Sequence, residues 1–73
     1  MTSLAVQVLK LFVSMDKDCL DLHVLFEAGG NIPAERGQVL DAIDELTAAG
    51  MLEATGADFY TLTAKGRNFI TPS

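Results

Sequence analysis

Asp16, Cys19 and His23 are the residues of this chain whose types and spacing come nearest to a metal site. On a helix the i, i+3, i+7 spacing would line one face, and a thiolate with an imidazole is a zinc-ligand pair. Three ligands fall short of a structural tetrahedron, and Asp16 opens the polar run Asp16-Lys17-Asp18, which reads as a turn. A free thiol beside a surface histidine is the better account, so neither a metal nor any other cofactor is expected. Acid and base catalysis would need that histidine to have a positioned partner, or paired carboxylates in a cleft, and the sequence signals neither. An enzyme is not expected. Gly29-Gly30 has no Lys-Ser/Thr behind it and no strand before it, so it reads as a helix stop, not a phosphate loop.

What remains chemically distinctive is charge. Ten acids stand against five bases, giving a formal charge of −5 and a sequence pI near 4.4. Protein affinity for DNA comes largely from counterion release at about 6 to 10 phosphate contacts, each wanting Lys or Arg. The five cations are Lys10, Lys17, Arg36, Lys65 and Arg67. No basic stripe runs through them.

A chain of 73 residues is expected to form one domain over residues 1–73, with its apolar content spent on one small core. One cysteine excludes an internal disulfide and fits a reducing compartment, which makes the cytoplasm the expected location. The apolar stretch Leu4 to Met15 is shorter than the roughly 20 residues that span a bilayer, and no Lys or Arg precedes it. Neither membrane nor export is indicated.

The elements follow from periodicity. Thr2 or Ser3 can cap a first helix to about Met15, whose polar residues Gln7, Lys10 and Ser14 share one narrow stripe. Its apolar residues cover about 220° of the circumference, more than the roughly 100° that one core contact needs. The surplus suits either a central helix with neighbours on two sides or an edge that meets a partner. Either aspartate of Asp16-Lys17-Asp18 can cap the second element. Residues Leu20 to Phe26 alternate like a strand and also fit a helix face, and a short helix from about Leu20 to Ala28 is preferred. Gly29-Gly30-Asn31 would stop it, and Pro33 suits the first turn of the next helix.

That third helix, from Pro33 to Gly50, has Val39, Leu40, Ile43 and Leu46 on an apolar arc, with Arg36 near its middle. The opposite arc holds Gln38, Asp41, Asp44, Glu45 and Ala48, with Glu35 at its margin, so the outward face is acidic. Met51 to Thr63 reads as a hairpin pivoting on Gly56-Ala57-Asp58, with Leu52, Tyr60 and Leu62 inward and Glu53 outward. Thr63 can cap a last turn through Lys65, Gly66 and Arg67, with Phe69 and Ile70 folded onto the core and Thr71-Pro72-Ser73 a frayed end.

Two pieces of this pattern are specific: Leu46-Thr47-Ala48-Ala49-Gly50-Met51-Leu52, and Tyr60-Thr61-Leu62-Thr63-Ala64-Lys65-Gly66. Together they resemble the closing segment of bacterial winged helix-turn-helix regulators, and the resemblance spans about Leu20 to Ile70. It implies a mainly α fold with a small β-hairpin, a three-helix core plus a two-stranded wing. In that family the third helix and wing usually meet DNA phosphates. Here that helix is acidic and Gly56-Ala57-Asp58 carries no Lys or Arg. In size and charge the chain is also similar to small acidic proteins by which phages and plasmids modulate host RNA polymerase.

These features lead to the expectation of a small acidic regulator of transcription that binds a basic protein surface, with RNA polymerase foremost. Leu4, Gln7 and Lys10 on the first helix, with Asp41, Asp44 and Glu45, are the expected contacts. The alternative is a DNA-binding regulator, a homodimer through the first helix, using Arg36 and Gln38 at base edges and Lys65 and Arg67 on the backbone. A third reading is an accessory domain without activity of its own.

Overall fold

The computed structural model describes residues 3–30 and 32–70. Its elements are α1 (Ser3–Ser14), β1 (Cys19–Asp21), α2 (Leu22–Leu25) continued by a 3-10 turn (Phe26–Gly29), a second 3-10 turn (Pro33–Glu35), α3 (Arg36–Ala48), β2 (Leu52–Ala54), β3 (Phe59–Leu62) and α4 (Ala64–Ile70). The chain is therefore mostly helical with an antiparallel sheet ordered β1-β3-β2. Thr2 as a helix cap, Asn31 in the glycine turn and the segment Thr71-Pro72-Ser73 fall outside the described residues.

The sheet corrects two expectations. The expected hairpin forms from β2 and β3, with Leu52 opposite Leu62 and Ala54 opposite Tyr60, but it is not alone: β1 adds a third strand by pairing with β3 in the register Cys19↔Thr61, Leu20↔Tyr60 and Asp21↔Phe59. The preferred helix from Leu20 to Ala28 begins only at Leu22, since β3 offers Leu20 a ladder that a local reading cannot see. Amides of Leu22 and Leu62 extend that ladder at its ends, donating to the Asp58 and Asp18 carbonyls at 2.8 Å each. Helix formation resumes where Asp21 accepts the Val24 amide at 2.9 Å, so the cap of α2 is Asp21 and neither Asp16 nor Asp18.

Asp16 instead closes α1. It takes φ 54°, its amide donates to the Val13 carbonyl, and the Lys17 amide donates to the Phe12 carbonyl, the Schellman pattern for helix ends. Gly50 does the same for α3 at φ 79°, with its amide on Thr47 and the Met51 amide on Leu46. Gly30, at φ 76°, stops the turn after α2.

All buried side chains among the described residues are apolar, with Ala5, Val8, Leu9 and Phe12 of α1 facing Leu20, Leu25, Val39, Ala42, Ile43, Leu46, Met51, Leu52 and Leu62. α1 lies against α3, α4 and the turn after α2, which accounts for most of its wide apolar arc. Val13 and Met15 stay exposed at its end. On α3 the buried set is Val39, Ala42, Ile43 and Leu46, so Ala42 takes the core place expected of Leu40, which is 40% exposed. The arc therefore centres further from Arg36, whose guanidinium lies over the Phe26 ring at 5.3 Å. Tyr60 is half-buried as an inward residue of a thin sheet. Phe69 does not fold onto the core: α4 runs a full seven residues, and its axis leaves Phe69 48% exposed while Ile70 packs at the margin.

Candidate partner-binding face

α3 presents Asp41, Asp44 and Glu45 as exposed side chains, and none of them is in an ion pair with another described residue. The helix positions them by burying its other side: Val39, Ala42, Ile43 and Leu46 fix the rotation, which leaves residues 41, 44 and 45 no direction but outward. Gly37 stands on the same side, and a Cβ built there would meet no described residue within 4 Å.

Between α1 and α3 lies a groove of about 270 Å³ lined by Leu4, Gln38, Asp41, Ala42 and Glu45. The structure thus brings Leu4, Asp41 and Glu45 together, as three of the contact residues expected from sequence. Asp44 lies further round α3, and Gln7 and Lys10, exposed on α1, do not line the groove. Ala42 is not singled out by sequence reasoning, because a lone alanine carries no signal of the space it leaves. Gln38, assigned from sequence to DNA contact, sits at the groove's edge.

The cations are dispersed. Arg36 is at the start of α3 on Phe26, whereas the Lys65 side chain passes Gly50 at the other end of that helix. Arg67 pairs with Asp18, and both are exposed. Arg36 and Lys65 therefore lie at opposite ends of α3.

Asp16, Cys19 and His23 do not share a helical face, since Cys19 is in β1 and Asp16 in the turn before it. Among the described residues no group of three or more His, Cys, Asp or Glu is placed to hold a metal ion. A second cavity of about 240 Å³ is lined by Asp21, His23, Asp58 and Phe59. Its Asp21 is already engaged in capping α2. Among the described residues no helix is long and apolar enough to cross a membrane. No family model, curated protein or solved structure matches this chain.

Proposed function

We propose that this chain is a small acidic regulator of transcription that acts in the cytoplasm by binding a basic protein surface, with RNA polymerase the first partner to test. A helix, a glycine-bearing turn, a second helix and a hairpin behind them support a winged-helix type of domain. Winged helices serve partners other than DNA, so the surface chemistry must decide.

The observation that carries the reading is the outward face of α3, where Asp41, Asp44 and Glu45 stand exposed with no ion pair to another described residue. Two unit charges about 10 Å apart in water interact by about 0.4 kcal/mol before screening, so several acids facing phosphates would oppose docking by a kcal/mol or two. Toward a basic protein the same charges steer the encounter and raise the association rate.

The DNA-binding alternative draws on one observation, the exposure of Arg36 and Gln38 at the start of α3. Against it stand the placement of Arg36 and Lys65 at opposite ends of α3 and the acids that come after Gln38 along the same helix.

The test is association with core RNA polymerase at low salt, comparing the natural chain with the triple variant Asp41→Lys, Asp44→Lys, Glu45→Lys. The variant is expected to associate about tenfold more slowly, with the difference closing as salt rises. Equal rates at low salt, or no association of the natural chain, would count against this partner and mode.

A further inference from the structure

Resting on that reading, we propose that the groove between α1 and α3 is an anchor site for one aliphatic side chain of a cationic amphipathic helix on the partner, with the flanking Lys or Arg of that helix paired to Asp41 and Glu45. The groove holds about 270 Å³, below the roughly 300–1,000 Å³ of small-molecule sites and suited to a side chain. Its inner wall is apolar: Leu4 is half-buried and Ala42 is 5% exposed, so the wall belongs to the packed core. The outer wall carries Gln38, Asp41 and Glu45.

Asp41 and Glu45 are one turn apart on α3, about 5–6 Å between Cβ atoms. Cations one turn apart on a partner helix match that spacing. Gly37, a turn before Asp41 with open space around its Cβ position, lets the partner's backbone come close to α3. The fold does not ask for glycine there, since Gly37 has no positive φ and no neighbour to avoid.

Charge also selects among occupants. A second copy of this chain brings its own −5 and a nucleic acid brings phosphates, and both would be repelled by the carboxylates at the groove's edge. A basic helix is attracted.

The experiment is an amide-detected titration of isotopically labelled protein with a helical alanine peptide carrying one leucine between lysines, and with a matched peptide in which that leucine is alanine. Saturable shifts at Leu4, Gln38, Asp41, Ala42 and Glu45 are expected, and loss of the leucine should weaken binding about tenfold or more. Gln38→Phe, at an exposed position, should fill the groove and weaken the leucine peptide alone without disturbing the fold. Equal binding of both peptides would overturn the groove while leaving an acidic contact face intact. Absence of shifts with either peptide, or shifts centred elsewhere, would overturn the anchor site outright. The polymerase association rates judge the partner separately, so the two failures are distinguishable.

Discussion

The Thr63 hydroxyl donates to the Gly50 carbonyl at 2.6 Å and so ties the start of α4 to the end of α3. The same oxygen accepts the Gly66 amide at 3.1 Å, which makes Thr63 the N-cap of α4. Thr63→Val keeps the shape and removes both bonds, and should lower unfolding free energy by about 1–2 kcal/mol. Thr63→Ser should recover most of it. Urea unfolding checks this, and equal midpoints for natural and Val chains would refute it.

Two glycines separate packing from permissiveness. A Cβ on Gly66 would lie 2.3 Å from the Met51 carbonyl oxygen, so α4 could not keep its place. Gly66→Ala is expected to cost about 1–3 kcal/mol or more. Gly37→Ala meets nothing, and should stabilise α3 by about 0.5–1 kcal/mol. Denaturant midpoints should move in opposite directions for the two variants.

Asp16 holds a left-handed conformation that few side chains adopt, at φ 54°. Asp16→Asn should be nearly neutral. Asp16→Val places a β-branched residue there and is expected to cost about 1–2 kcal/mol in thermal unfolding.

The carboxylates of Asp41, Asp44 and Glu45 form no ion pair or hydrogen bond among the described residues. Asp44→Lys and Glu45→Lys, each alone, should therefore change stability by no more than about 0.5 kcal/mol in calorimetry. A loss several times larger would mean that these carboxylates support the fold, and would count against the proposed partner contact.

Much of the fold is legible from local chemistry. The segment Thr63-Ala64-Lys65-Gly66 has a structural cause in one hydroxyl and one missing Cβ, so its pattern speaks to local packing and is silent on function. Gly30, Pro33 and Gly50 punctuate the chain as their backbone limits require. The strand-like alternation from Leu20 is visible locally, but the choice of strand over helix at Cys19 to Asp21 depends on β3, far away along the chain. Leu40 and Phe69 are misplaced by pattern alone because periodicity gives a helix face but not its rotation, which Ala42 and the packing of α4 decide. The groove cannot be read from sequence at all: Leu4 and Ala42 meet only when α1 and α3 pack.

The most direct test of the central claim, that this surface meets protein and not DNA, is a titration of labelled protein with random duplex DNA at low salt, monitored by backbone amide signals. Even sequence-specific DNA binders show nonspecific electrostatic binding under those conditions. Silence across α3 and the turn between β2 and β3 is predicted, whereas shifts clustered on Arg36, Gln38, Lys65 and Arg67 that vanish with added salt would contradict it and make the chain a DNA-binding regulator.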